Sequence, residues 1–256
     1  MDFDDEVGQW QRRMADGREG RARRLAVFDA LSPKSGQSFL DIGCGGGHLV
    51  LDLALAVGQK GKVVGLDASG DQVEAAKSHC GSVPAIDLLQ GNATALDFAD
   101  NSFDGVASIQ TLEYIADVDT VLSEARRVLK PAGKVAFVSV LWEHWRFYGA
   151  DEALNNRMHA LWHGHCPHRM LPFEMRGKLE NQGFAAVQQT PIGFINNTMH
   201  ENAFATYAAK LVVRMAKAKG ASEEEAGTWL QQLKQADREG RFGFASVPVL
   251  TTAVAC

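Results

Sequence analysis

Three features that mark specialised classes of protein are missing from this 256-residue chain. Its four cysteines are scattered without a Cys-x-x-Cys pair, which argues against a disulfide framework and is typical of a reducing compartment. No apolar run approaches the roughly 18 residues that a membrane-spanning helix needs. The opening residues, Met1-Asp-Phe-Asp-Asp-Glu6, lack the basic and apolar regions of a secretion signal. We therefore expect a soluble, cytoplasmic protein.

Basic residues are also in short supply. The chain has 26 Lys and Arg against 31 Asp and Glu, a formal charge of -5. Its densest basic stretch, residues 18–24, is interrupted by Glu19, Gly20 and Ala22. An acidic overall field argues against nucleic acid as the main partner. We predict a small-molecule partner, with neither nucleic acid nor membrane, and the sequence does not indicate an oligomeric state.

Short apolar strands alternate with helices in the first 141 residues. The predicted strands are 39–42, 62–67, 85–90, 103–109 and 134–141. The predicted helices between them are 47–57, 71–80 and 117–130, after one or two helices within 7–31. This alternation indicates a parallel sheet covered on both faces. Ligands of such sheets lie beyond the carboxyl ends of the strands.

The first strand runs into a glycine-rich turn, Gly43-Cys-Gly-Gly-Gly-His48. A strand that turns through glycines into a helix brings backbone N–H groups and the positive helix end close to a ligand. The dinucleotide fingerprint is Gly-x-Gly-x-x-Gly, but His48 occupies its sixth position here. The spacing is instead Gly-x-Gly-x-Gly, with Asp41 two residues before the first glycine.

Five segments, taken in order, resemble the class I methyltransferases that use S-adenosylmethionine. They are Leu40-Asp-Ile-Gly-Cys-Gly-Gly-Gly47, Gly65-Leu-Asp67, Gly91-Asn-Ala93, Asp100-Asn-Ser-Phe-Asp104 and Arg126-Arg-Val-Leu-Lys-Pro-Ala-Gly133. Each segment is a weak signal, but five in the right order and spacing are a strong one. The resemblance covers residues 38–141 without a gap. It implies a doubly wound α/β fold with a seven-stranded, mostly parallel sheet, the last strand antiparallel beside the sixth, plus helical lid insertions.

The resemblance also implies where the methyl donor binds. The implied cofactor-binding residues are Asp41, Gly43, Gly45, Gly47, Asp67, Ala68, Asn92, Ala93, Gln110 and Thr111. Asp41 and the glycine backbone would hold the methionine part, with the acid facing its ammonium group. Asp67 would accept hydrogen bonds from both ribose hydroxyls, which suits the paired oxygens of a carboxylate.

The remaining implied positions are the adenine pair 92–93 and the pair 110–111, which would line the methionine and the transfer path. Two positions depart from the family pattern. Asn92 stands where aspartate is frequent, so the adenine contact is expected to be weaker or mediated by water. Tyr114 stands where histidine is frequent, which removes one familiar polar group.

After Leu141 the alternation breaks. Residues 142–171 are rich in Trp, His and Met and match neither a strand nor one clean helix. Beyond them we predict a helix at 172–181, a strand at 185–195, helices at 200–219 and 223–238, and a last strand at 242–255. Pro248 is expected to mark a bulge or an edge, and Ser222-Glu-Glu-Glu225 a capping box. The whole is interpreted as a single domain, 1–256. Its parts are a helical segment (1–36), a donor-binding core (37–141), lid segments (142–171 and 196–240) and a final strand (241–256).

Methyl transfer needs alignment of nucleophile, methyl group and sulfur more than it needs a catalytic side chain. A base is required only for a protonated nucleophile. We offer His168 as that base, with His144 next, although either could be an ordinary surface or capping histidine. The aromatic residues of 142–171 could enclose an acceptor or pack the lid on the sheet. The cluster 163–168 lacks a second ligand pair, so no metal site is predicted.

The function indicated is methyl transfer to a small, partly apolar or aromatic metabolite, with oxygen as the first choice of acceptor atom. Transfer to nitrogen or carbon is the nearest alternative. An NAD-dependent oxidoreductase and a donor-binding protein without turnover are alternatives from other classes.

Overall fold

The computed structural model describes residues 5–256, so the first four residues of the predicted segment 1–36 lie outside it. The described residues divide into two compact units. The core unit contains residues 22–139, 171–192 and 248–256, and the insertion unit contains residues 5–21, 140–170 and 193–247. The expectation that the chain acts as a single domain stays a prediction.

The strands and helices have the following bounds. The strands are β1 (Ser38–Ile42), β2 (Lys62–Asp67), β3 (Ile86–Gln90), β4 (Phe103–Ile109), β5 (Leu129–Val140), β6 (Arg146–Tyr148), β7 (Phe184–Pro191), β8 (Phe194–Asn196), β9 (Gly243–Ser246) and β10 (Pro248–Ala255). The helices are α1 (Asp5–Asp16), α2 (Arg18–Leu31), α3 (His48–Val57), α4 (Gly70–Cys80), α5 (Val118–Val128), α6 (Glu152–Trp162), α7 (Leu171–Asn181), α8 (Phe204–Ala218) and α9 (Glu223–Arg238).

The core unit is built on a seven-stranded sheet in the order β3-β2-β1-β4-β5-β10-β7. Strand β1 pairs in parallel with β2 and β4, and the pairs β2–β3 and β4–β5 are parallel too. Strand β10 pairs antiparallel with β7. The predicted fold, a mostly parallel seven-stranded sheet whose last strand is antiparallel beside the strand before it, is confirmed.

Apolar clusters cover both faces of this sheet, and β1 contributes side chains to each of them. Leu40 and Ile42 join one apolar cluster, with Val121 and Leu122 of α5. Phe39 joins the opposite cluster, with residues of α2 and α3. Alternate side chains of a strand point to opposite faces, so Phe39 on one face and Leu40 and Ile42 on the other need helices on both sides of the sheet.

The insertion unit has its own aromatic core. Its antiparallel sheet, in the order β6-β9-β8, presents Phe147 and Phe244, whose rings lie 4.5 Å apart. A buried polar chain supports these rings: Trp229 Nε1 donates to Asn155 Oδ1 (2.9 Å), and Asn155 Nδ2 donates to the Phe147 carbonyl (2.8 Å). The Phe147 N–H donates to His159 Nε2 (3.1 Å). Burial, followed by the charge of nearby Arg146, lowers the pKa of His159 to about 3, so this imidazole is neutral at physiological pH.

Several boundaries differ from the prediction. Residues 142–171, predicted to match neither one strand nor one clean helix, contain both β6 and α6, and Asp151 caps α6 by accepting from the Leu154 N–H (2.9 Å). The single strand predicted at 242–255 is two strands in different sheets, broken before Pro248. Pro248 is the first residue of β10, a position that tolerates proline, and the bulge lies further on, between Thr252 and Val254.

Three more element boundaries differ from the prediction, while the predicted capping box is present. The strand predicted at 185–195 divides into β7 and β8, and the helix predicted at 117–130 ends at Val128. Strand β5 therefore begins at Leu129, earlier than the predicted 134. The capping box is confirmed: the Glu225 N–H donates to Ser222 Oγ (3.0 Å), and the Ser222 N–H donates to Glu225 Oε2 (2.8 Å).

Candidate methyl-donor site

The predicted donor-binding residues line one edge of the core sheet. Strands β3, β2, β1 and β4 are neighbours and parallel, so their carboxyl ends lie side by side. The residues that end or follow them are 92–93, 67–68, 41–47 and 110–111, respectively. Strand order reverses at β1, which is where ligands bind in open α/β sheets. The structure thus brings all ten predicted donor-site residues to one edge.

The glycine turn combines close packing with one open position. Gly43, Gly45 and Gly47 have φ angles of 72°, 50° and 79°, in the left-handed region that favours glycine. A Cβ on Gly43 would lie 2.0 Å from Thr111 Oγ1, and one on Gly47 would lie 2.8 Å from Cys80 Sγ. A Cβ on Gly45 would meet no protein atom within 4 Å. Two of these glycines therefore allow the turn to pack, while the third borders open space.

The backbone N–H groups of this turn are largely bound within the protein. The N–H groups of Gly43 and Cys44 both donate to the Leu66 carbonyl, at 2.7 and 3.0 Å. The Gly45 N–H donates to Asp67 Oδ2 (2.9 Å). The sequence predicts a turn that presents N–H groups to a ligand, but these three are already engaged. What the turn offers instead is an open surface over Gly45.

A buried carboxylate lies at the end of β1. Asp41 is only 3% exposed, and burial, followed by repulsion from the charge of Asp67, raises its pKa from 3.8 to about 7. A buried carboxylate is costly unless a cation pairs with it. The pair Asp41 and Asp67 therefore favours a positively charged ligand group and disfavours a phosphate.

Asp67 is held by backbone groups on both of its oxygens. Oδ2 accepts from the Gly45 N–H, and Oδ1 accepts from the Ser69 N–H (2.9 Å). Each carboxylate oxygen keeps a further lone pair, so the fixed side chain can still accept from two hydroxyls. Ser69 is a supporting residue that the sequence analysis missed. Its signal is a serine directly before a helix, and it caps α4 by accepting from the Gln72 N–H (3.4 Å).

The adenine-side residues lie in the loop after β3. Asn92 is exposed, and its Oδ1 accepts from both the N–H (3.0 Å) and the Oγ1 (2.9 Å) of Thr94. Ala93 is buried, and exposed Ala68 accepts at its carbonyl from Gln90 Nε2 (3.0 Å). Because the Asn92 acceptor already serves the turn, a weak adenine contact at this residue stays our prediction.

Gln110 and Thr111 follow β4. Gln110 has a φ of 54°, a left-handed conformation that is strained for a non-glycine residue. Its N–H donates to the Val138 carbonyl (2.8 Å), which extends the β4–β5 ladder by one bond. Thr111 Oγ1 donates to the Gly43 carbonyl (3.3 Å). These contacts fix both residues against the sheet and the glycine turn.

The two candidate bases belong to the insertion unit. His144 is exposed and ends the short helix Trp142–His144, while His168 is half-buried. Their catalytic roles stay predictions. The neighbouring rings of Trp145 and Trp162 are 2% and 1% exposed and stack 4.8 Å apart, so they pack within the core of their own unit.

The part of the chain that the structure describes has neither a cluster of metal ligands nor a membrane-spanning helix. Among residues 5–256, no group of three or more His, Cys, Asp or Glu side chains is arranged to hold a metal ion. Within the same range, no helix has the length and apolar character to span a membrane.

Known proteins match the part of the chain that carries the predicted donor-binding residues. A family model described as "Methyltransferase domain" matches residues 40–137. The demethylmenaquinone methyltransferase of Lactococcus lactis is 44% identical over 117 residues, which cover 45% of this chain and 46% of that protein. The corresponding protein of Desulfitobacterium hafniense is 38% identical over 125 residues, covering 48% and 49%. The chain thus spans about half the length of these curated relatives.

A solved structure extends the likeness to the whole fold. Phosphoethanolamine N-methyltransferase 2 of Haemonchus contortus, in complex with S-adenosyl-L-methionine, aligns with a TM-score of 0.64 at 19% identity. The alignment covers 99% of this chain and 57% of that one. The resemblance predicted from five sequence segments is confirmed: residues 40–137 are a methyltransferase domain of the class I, S-adenosylmethionine-dependent family.

Proposed function

We propose that this chain transfers a methyl group from S-adenosylmethionine to a small, partly apolar or aromatic metabolite, with oxygen as the acceptor atom. The observation that carries the donor half is the buried Asp41 beside Asp67, next to the open space over Gly45. A ligand with an ammonium group neutralises Asp41, and its ribose uses the remaining lone pairs of Asp67.

The same observation favours this donor over a dinucleotide. A pyrophosphate needs free N–H donors at the glycine turn, but three of these groups already bind protein oxygens. The two carboxylates would also repel it. His48 in place of the third fingerprint glycine agrees with that preference.

The chain's contribution to the reaction is mainly alignment. When bound, the donor would supply a methyl group activated by its sulfonium; the acceptor bonds to that methyl carbon as the carbon–sulfur bond breaks, and S-adenosylhomocysteine is the leaving group. Asp41 holds the ammonium end and Asp67 the ribose, while Gln110 and Thr111 line the path of transfer. Holding both reactants in line can lower the barrier by about 7–11 kcal/mol, which is why the donor site is built from rigid strand ends.

We infer that the acceptor is selected by residues that the family model does not match. That model ends at residue 137, so the choice of acceptor falls to later parts of the chain. We propose His168, with His144 as the second candidate, as the base that takes the proton from an acceptor hydroxyl. The two curated relatives are named for demethylmenaquinone, which supports a small-molecule acceptor. Transfer to nitrogen or carbon is the alternative.

The test has a binding step and a transfer step. Calorimetry with S-adenosylhomocysteine and with NAD comes first, and we expect only S-adenosylhomocysteine to bind. The chain is then incubated with isotopically labelled S-adenosylmethionine and three acceptor sets: phenols, aromatic amines and hydroxyquinones. Mass spectrometry locates the label, and we expect it on oxygen.

Each negative outcome points to a different error. Tighter binding of NAD would contradict the donor assignment. Label on carbon or nitrogen would keep the enzyme class and overturn the oxygen acceptor. Donor binding without any formation of S-adenosylhomocysteine across broad metabolite mixtures would favour a binding protein without turnover.

A further inference from the structure

The loop between β3 and β4 is held by one arginine of α5. Arg127 donates from Nε to Glu124 Oε1 (2.8 Å), and from Nη1 to the Phe98 carbonyl (2.6 Å) and Asp100 Oδ1 (2.9 Å). From Nη2 it donates to the Leu96 carbonyl (2.8 Å) and Glu124 Oε2 (2.9 Å). These bonds use the full donor capacity of a guanidinium, five N–H groups. Three of the five reach the loop, and two reach the glutamate on the same helix.

Glu124 also binds the loop directly. Its Oε2 also accepts from the Leu96 N–H (2.7 Å), so the arginine and the glutamate bind both backbone groups of Leu96. Hydrogen bonding to Arg127 is the main reason that the pKa of Glu124 is lowered. The side chains of Glu124 and Arg127 are only 19% and 32% exposed, and their fork-to-carboxylate contact is bidentate. Such pairs are stronger and more specific in geometry than ordinary surface ion pairs.

The anchored part of the loop lies next to the adenine-side residues. Leu96 lies three residues after Ala93. The turn before it closes through the Ala95 N–H, which donates to the Asn92 carbonyl (3.1 Å). The segment from 91 to 102 contains neither helix nor strand. Without an external anchor, such a loop samples many conformations, and binding a ligand would have to order it.

We propose that Arg127, acting with Glu124, is a positioning residue for the adenine end of the donor site. It holds loop 91–100 so that Asn92 and Ala93 stand at the carboxyl end of β3, and it does so without touching the donor. The inference rests on the proposed function, because it assumes that these two residues meet the donor's adenine.

The test compares Arg127→Ala and Arg127→Lys with Arg126→Ala in the full chain. Arg126 is the matched control, since it is the adjacent arginine of α5 but donates to the Cys256 carbonyl instead of the loop. Calorimetry with S-adenosylhomocysteine gives the affinity, and amide hydrogen exchange of the free and saturated protein gives the order of the loop. Arg127→Lys keeps the charge with fewer donors and serves if the alanine variant does not fold.

We expect Arg127→Ala to bind S-adenosylhomocysteine about tenfold more weakly or worse. Its amides at 92–100 should exchange faster while those of β1 and β4 do not, and saturating ligand should restore the loop's protection. Arg127→Lys should show a smaller loss, and Arg126→Ala should show none.

Three results would contradict the positioning role or the proposed function. Faster loop exchange with unchanged affinity would overturn the positioning role. Faster exchange throughout β1 and β4 would overturn it too, because the arginine would then stabilise the whole unit. If the unmodified chain does not bind S-adenosylhomocysteine, the proposed function fails, and that failure is visible before any variant is made.

Discussion

Replacing Asp41 by asparagine should make the free protein more stable and its donor complex weaker. The carboxyl group is buried, and its pKa rises from 3.8 to about 7 on folding. The folded state therefore keeps a proton that the unfolded chain gives up. The associated stability is fully present below pH 3.8 and is lost as the pH rises towards 7, because folding then requires a buried charge.

The size of the effect follows from the pKa difference. One pKa unit corresponds to 1.36 kcal/mol, so the penalty is about 2 kcal/mol at pH 5 and approaches about 4 kcal/mol at pH 8. Asparagine carries no charge and escapes this penalty at either pH. Any change in packing caused by its amide group is the same at both. The difference between the two pH values, about 2–3 kcal/mol, therefore isolates the ionisation of Asp41.

Urea unfolding at pH 5 and pH 8 measures this difference. The Asp41→Asn variant should gain more stability over the unmodified protein at pH 8 than at pH 5, and its affinity for S-adenosylhomocysteine should fall at least tenfold. Asp97→Asn, at an exposed position of the same unit, is the control and should do neither. An equal stability change at both pH values would refute the reasoning, as would unchanged affinity.

Five further substitutions test the glycine turn, the ribose contact and the candidate bases. Gly45→Ala and its control Gly81→Ala both put a methyl group on a left-handed backbone with no protein atom within 4 Å, so each should cost about 1–2 kcal/mol of stability. Only Gly45→Ala should also lose donor affinity, by tenfold or more in calorimetry. Asp67→Asn should weaken binding of S-adenosylhomocysteine at least tenfold, because an amide has one acceptor oxygen instead of two. His168→Gln should lower kcat for a hydroxyl acceptor by about 10²–10⁴ with donor affinity unchanged, and His144→Gln should have the smaller effect.

The outcomes that would contradict these substitutions are specific. Equal donor affinity in the two glycine variants would show that the ligand does not occupy the space over Gly45. Full affinity in Asp67→Asn would mean that the ribose is held elsewhere. Unchanged kcat in His168→Gln would end its assignment as base, and a larger effect at His144 would transfer that role.

The core unit was predictable because its signals are local. Strand β4 occupies the predicted residues 103–109, since a turn at Asp100-Asn-Ser102 precedes a short, mostly apolar segment. The glycine turn was predictable in position, and glycine at 43, 45 and 47 permits the positive φ that all three adopt. Parallel strand order then brings the donor residues to one edge.

The insertion unit was harder to predict because its core is assembled from distant segments. Trp145 and Phe147 precede α6, yet their ring partners include Phe244, about one hundred residues later. Aromatic spacing within 142–171 therefore follows a tertiary pattern and hides the helix Glu152–Trp162. The break before Pro248 has a similar cause, since apolar residues on both sides serve two different sheets.

The supporting residues of the site were missed for another reason. Ser69 acts through its own backbone N–H, which donates to the Asp67 side chain, and Arg127 acts through bonds to a loop that is distant in the chain. Residue type at one position does not specify such partners. Only coordinates reveal that Asp67 is clamped on both oxygens, or that Arg127 uses all five N–H groups.

The most direct test of the central claim, that Asp41 binds the donor's ammonium group, is to count protons during binding. Calorimetric titration of S-adenosylhomocysteine in buffers of different ionisation heat gives this number. At pH 6.5 a carboxyl group with a pKa of about 7 is protonated about three quarters of the time, while the ligand's ammonium group is charged. Binding should therefore release about 0.7 proton at pH 6.5 and far fewer at pH 8.5, where Asp41 is already ionised. Binding that releases no proton at pH 6.5 would contradict the account.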